Sequence, residues 1–169
     1  QHILVRLTLA HHIARMAPTC KVVSVAVRNA IKARRFSSEV VTLAGHTSMV
    51  LCVAAAPDGR VVTGSDDGTV KVWRERTVKM SGRIFKVWRE RTIEAHTERV
   101  QAVAVLPGGA RFISGSLDDT AKLWTLDGAH ERTFRAAHGA WLLCVAALPD
   151  GVHFVVGFSN GWVILYHVD

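Results

Sequence analysis

The chain has 169 residues, 49% hydrophobic and 21% charged, a globular balance that excludes wholesale disorder and leaves room for one core or a few stacked repeats. Its formal charge of +7 is unevenly held: residues 1–45 carry seven Lys or Arg against one Glu, residues 74–92 carry seven against two, and the remainder is acidic. No apolar run reaches the roughly 18 residues of a membrane span, and the three cysteines form no CxxC pair.

Residues 1–39 read as a basic, helical extension. The opening QHILVRLTLAHH is apolar but interrupted by Arg6 and lacks an initial Met, as in a fragment or a processed product. Between Ala14 and Phe36, the residues Ala17, Cys20, Val23, Val27, Ala30 and Ile31 recur at intervals of three and four. Lys21, Arg28, Lys32 and Arg35 fall largely on other faces, which predicts an amphipathic helix or helix pair starting near Pro18. The stretch PTCKVVSVAVRNAIKARR resembles the last helix of an F-box-like segment; that resemblance implies an adaptor recruiting substrates for ubiquitin transfer. Without it, the helix is a basic docking element. His11 and His12 are poorly placed to share one metal with Cys20, so no metal site is expected there.

Residues 40–169 contain a repeat. Gly45 to Trp73, Ala95 to Trp124 and Ala137 to Tyr166 align with one another, and His46, His96 and His138 stand 27, 28 and 28 residues before the closing aromatic. Each unit reads as short strands separated by turns. In the first, Val50 to Ala54 alternates before the turn Pro57-Asp58-Gly59, Arg60 to Thr63 makes a second strand, and Thr69 to Trp73 a third after Asp66-Asp67-Gly68. Fourth strands are expected at Arg91 to Glu94 and at Arg132 to Ala136, and Val40 to Leu43 reads as the fourth strand of a preceding unit.

Between the first two units KVWRERT occurs twice, at 71–77 and 86–92, separated by VKMSGRIF. The expectation is a duplication that lengthens the loop between the third and fourth strands. The alternative is a functional basic protrusion formed by Arg74, Arg76, Lys79, Arg83, Lys86, Arg89 and Arg91. Trp73 takes the closing position rather than Trp88, because its distance from Asp67 matches that from Asp118 to Trp124. Cys52 and Cys144 occupy one repeat position, filled by Ala102 in the second unit, and are expected to be small core residues in a reducing, intracellular and cytoplasmic compartment.

A GH pair followed by SGSxDxTxKxW resembles the WD40-repeat family. The resemblance implies an all-β fold of three four-stranded propeller blades (46–94, 96–136 and 138–168), a partial propeller behind a short helical segment. It also implies a hydrogen-bonded network inside each blade: His46, Thr63, Asp67 and Trp73, then His96, Ser114, Asp118 and Trp124. The third unit departs, with His138 followed by Val156, Asn160 and Tyr166, so packing by Phe154, Trp162 and Leu165 is expected to replace the network.

A His, a hydroxyl and an Asp superficially suggest a nucleophilic triad, but a catalytic triad does not recur in successive repeats and end on Trp. With no GxGxxG, P-loop or HExxH, the reading is a protein-interaction scaffold rather than an enzyme, with no cofactor. The resemblance assigns partner binding to Met49, Leu51 and Asp66, then Arg99, Gln101 and Leu117, then Trp141, Leu143 and Ser159. The alternatives are a structural subunit of a large assembly and the ubiquitin-transfer adaptor. Three blades leave apolar faces to be covered by further blades, a second copy or a host complex, and the basic segments admit contact with nucleic acid or an anionic surface.

Overall fold

The computed structural model describes residues 40–135 and 140–168. The segment read as a helix, His138, and Ala136 at the end of a predicted strand lie outside the described residues.

The first sheet runs β1 (Val50–Ala55), β2 (Val61–Ser65), β3 (Thr69–Met80) and β4 (Arg83–Glu94), each antiparallel to the next. The second repeats the order with β5 (Val100–Val105), β6 (Arg111–Ser116), β7 (Thr120–Thr125) and β8 (His130–Arg135). The third consists of β9 (Leu142–Ala147), β10 (His153–Phe158) and β11 (Val163–His167), so its described part has three strands rather than four. Residues 40–43 form no strand; no described strand pairs with them, and Val40 and Val41 are exposed.

Period-two patterning packs the sheets face to face. Val62, Val70, Val72 and Ile93 of the first sheet meet Val100, Phe112 and Trp124 of the second in one core. Ile113, Leu123 and Phe134 meet Leu142, Phe154 and Val156 of the third in another. Each such fully buried side chain contributes roughly 2 kcal/mol. Glycine in the second strand sets how closely the next sheet's inner strand approaches: a methyl on Gly64 would lie 2.6 Å from Val100, and one on Gly115 would collide with Leu142.

The duplicated segment is not a loop. β3 and β4 pair continuously from Thr69↔Glu94 to Met80↔Arg83, closed by Ser81 and Gly82 with φ of 48° and 78°. Two consecutive left-handed residues match the right-handed twist of a tight hairpin. The two copies of KVWRERT lie antiparallel about their central residue, Arg74 opposite Arg89, so a seven-residue sequence pairs with itself. Because β2 pairs with β3 only as far as Trp73, the positions from Arg74 to Met80 project as a two-stranded arm about 23 Å long.

Candidate functional site

The first two sheets each hold a chain of hydrogen bonds running from a buried indole to a carboxylate in a turn. Trp73 Nε1 donates to Thr63 Oγ1 at 2.9 Å, Thr63 Oγ1 meets His46 Nε2 at 2.8 Å, and His46 Nδ1 meets Asp67 Oδ2 at 3.1 Å. In the second sheet Trp124, Ser114, His96 and Asp118 are joined in the same order at 2.9, 2.7 and 2.8 Å. Burial acts to raise the Asp67 pKa, but hydrogen bonds from Thr69, Thr47 and His46 outweigh it and hold the carboxyl well below its usual range. Asp118 is depressed in the same way: His96 and Thr120 overcome the cost of burial. Each carboxylate ties the strand-connecting turn to the segment ahead of the inner strand, which is a structural task.

The third sheet has no such chain among its described residues. Val156 stands fully buried at the hydroxyl position, and Asn160 only accepts from Trp162 N at 3.0 Å. Phe154 stacks on Tyr166 at 5.2 Å, and Phe134 of the second sheet packs edge-on against both. Leu165 does not pack as expected, being 57% exposed, and Trp162 is 51% exposed. Leu165 and Val163 occupy the positions of Val72 and Val70, which the second sheet buries; no described sheet covers them. For the same reason Cys144 is exposed whereas Cys52 is half-buried beside Val100, where burial pushes its thiol up to about 11.

The nine residues assigned to partner binding gather at one end of the three inner strands. Asp66 N donates to Met49 O, Leu117 N to Arg99 O and Ser159 N to Trp141 O, one equivalent bond in each sheet. Leu51, Gln101 and Leu143 each sit in a β-bulge where the inner strand shifts register against the second. A bulge re-aims the extra side chain away from the pleat, and Leu51 and Leu143 are exposed there. Met49 and Trp141 are 64% and 62% exposed, and Arg99 Nε reaches Asp66 Oδ1 at 3.2 Å across the first two sheets.

The family described as "WD domain, G-beta repeat" matches residues 37–74 and 87–125, the two segments that carry the complete networks. This chain belongs to the WD40-repeat family. It is 31% identical over 132 residues to apoptotic protease-activating factor 1 of Rattus norvegicus, covering 78% of this chain and 10% of that protein. Over 131 residues it is 33% identical to a guanine nucleotide-binding protein subunit beta of Arabidopsis thaliana, covering 75% of this chain and 33% of that one. Small ribosomal subunit protein RACK1y of Oryza sativa subsp. japonica is 38% identical over 85 residues, 48% of this chain and 23% of its own. The chain thus spans between a tenth and a third of the length of these relatives.

WD40 repeats are typically non-catalytic protein-interaction scaffolds. Among the described residues no helix is long and apolar enough to cross a membrane. Two features of these WD40 blades went unread in the sequence. The bulges have no composition signature, because Leu, Gln and Leu occupy them. The arm did have one: Ser-Gly between the alternating runs TVKM and RIFKV is a two-residue hairpin signal, obscured by treating the duplication as a loop.

Proposed function

We propose that the chain binds a partner protein across the end of its blades that bears Met49, Leu51, Asp66, Arg99, Gln101, Leu117, Trp141, Leu143 and Ser159. The observation that carries this reading is the threefold bulge, which turns Leu51, Gln101 and Leu143 out at matched places beside the exposed Met49 and Trp141. Large apolar side chains beside an arginine, on a backbone held by repeated hydrogen bonds, supply the anchors and preorganisation of a protein interface. The free Cys52 and Cys144 suit a reducing compartment.

The test is affinity capture by the intact chain, compared with Trp141→Ala combined with Leu143→Ser. Proteins retained by the wild type should be lost by the double variant while its far-UV spectrum stays unchanged. Retention of the same proteins by both would refute this face as the binding site. A second reading, a subunit held inside a larger assembly, draws support from the exposed apolar face of Val163 and Leu165. Light scattering separates the readings: a non-aggregating monomer counts against permanent incorporation. The ubiquitin-transfer adaptor rests on residues outside the described part.

A further inference from the structure

We infer that the two-stranded arm is a second docking surface, built for an acidic, Asp/Glu-rich segment of a partner protein. In an antiparallel pair, directly opposite residues share a face. The pairs Val72↔Arg91, Arg74↔Arg89 and Arg76↔Val87 therefore put four arginines in one compact patch, with Arg74 and Arg89 about 5 Å apart at Cα. The same register sends Lys71, Glu75, Lys86 and Glu90 to the other face, where Lys71 pairs with Glu90 and Lys86 with Glu75. None of Arg74, Arg76, Arg89 or Arg91 forms an ion pair among the described residues, and all four are exposed.

The neighbouring acids offset this patch only at its foot, where the charge of Arg74 reaches Asp58. Asp58 and Asp127, at the foot of the arm, are both taken by Arg60, at 2.7 and 3.3 Å. Two arginines placed opposite each other, without a carboxylate between them, weaken a hairpin that has no third strand beyond Trp73. An anion in the patch removes that repulsion, so ligand binding and ordering of the arm favour each other. Guanidinium forks also match carboxylates in bidentate geometry, which gives the patch chemical selectivity as well as charge.

The surroundings limit the size of the ligand. On one side the patch opens into a hollow of about 170 Å³ floored by Val72 and Leu126. Towards the tip the same face turns apolar at Val78, Phe85 and Met80, with Arg83 opposite Met80 at its end. A patch three rows deep, with Asp127 at its foot and separated from Arg83 at the tip by Val78 and Phe85, is too short to track a phosphodiester backbone, whose proteins neutralise many successive charges. It fits a short extended peptide with clustered carboxylates and an apolar side chain about 13 Å away, the distance from the Arg74 row to the Val78 row. This surface lies at the opposite end of the first sheet from Met49 and Asp66, so its failure leaves the proposed partner face untouched.

The experiment uses the intact 169-residue chain and a short fluorescein-labelled peptide with four consecutive glutamates and a leucine four residues beyond. Fluorescence anisotropy should report binding that weakens between about 0.05 and about 0.3 M salt and is absent for the peptide with glutamines in place of glutamates. Arg74→Gln with Arg89→Gln should weaken binding at least tenfold with an unchanged far-UV spectrum, whereas Arg111→Gln should change nothing. If the first pair disturbs folding, Arg76→Gln with Arg91→Gln carries the same test. Equal binding by the arginine pair variant and wild type, or equal binding of the glutamine peptide, overturns the proposal. So does tighter binding of a single-stranded oligonucleotide of equal charge, if the same variants abolish it, or no measurable binding by the wild type.

Discussion

The second and third blades solve the same packing problem by different chemistry. In the second, a buried Trp124 must find a partner for its indole N–H, and Ser114, His96 and Asp118 carry that requirement out to a turn. In the third, Tyr166 stacks on Phe154 above a fully buried Val156, and no chain of side-chain hydrogen bonds crosses the sheet among the described residues. A buried hydroxyl is an asset where both its neighbours need it and a cost where they do not, so identical backbones accept opposite residues at one position.

The sharpest way to break the comparison is to remove the aromatic that starts the network. Trp124→Ala should cost about 3 to 5 kcal/mol in a denaturant titration, from the lost packing and an orphaned Ser114–His96 pair. Trp88→Ala, at a half-buried residue of the duplicate copy in the arm, should cost far less. Equal shifts would mean that the network contributes nothing beyond apolar burial. Next in size is Ser114→Val, which gives the second blade the residue that the third already has. It should lose about 2 kcal/mol or more, because His96 Nε2 and Trp124 Nε1 would both be buried without a partner. A neutral result would show that the blades tolerate either solution.

The smallest effect is expected from acid. Asp67 and Asp118 have folded-state pKa values depressed below the unfolded value of 3.8, so the stability they contribute is fully present above that pH and is lost as pH falls below it. Asn160 occupies the matching position in the third blade and does not titrate. Hydrogen exchange followed downward from about pH 5 should therefore accelerate in β2–β3 and β6–β7 before β10–β11. Simultaneous loss in all three would mean that the carboxylates are not what ties the turns.

Much of this was legible because it depends on short spacings. The interval from His to the closing aromatic, the Asp-containing turns and the alternation of Val50, Cys52 and Ala54 are local, and they specified strands, turns and the members of each network. The choice of Trp73 over Trp88 rested on one such interval; the structure buries Trp73 and bonds it to Thr63. What misled was any residue whose surroundings come from another sheet. Leu165 and Val72 look alike in the sequence, yet one is 57% exposed and the other 4%, because only the first sheet has a neighbour on that side among the described residues. Cys144 differs from Cys52 for the same reason, and Val40 to Leu43 has strand composition but no described strand to pair with.

By itself, then, the sequence determined the repeat, its turns and the hydrogen-bonding partners inside the first two blades, since these follow from side-chain chemistry at fixed intervals along one segment. Only the tertiary structure decided which faces are covered, where the inner strands bulge, and that the repeated KVWRERT pairs with itself to line four arginines along one face. Burial depends on what lies across the sheet and register on how two strands meet, and neither is a property of a single stretch of chain.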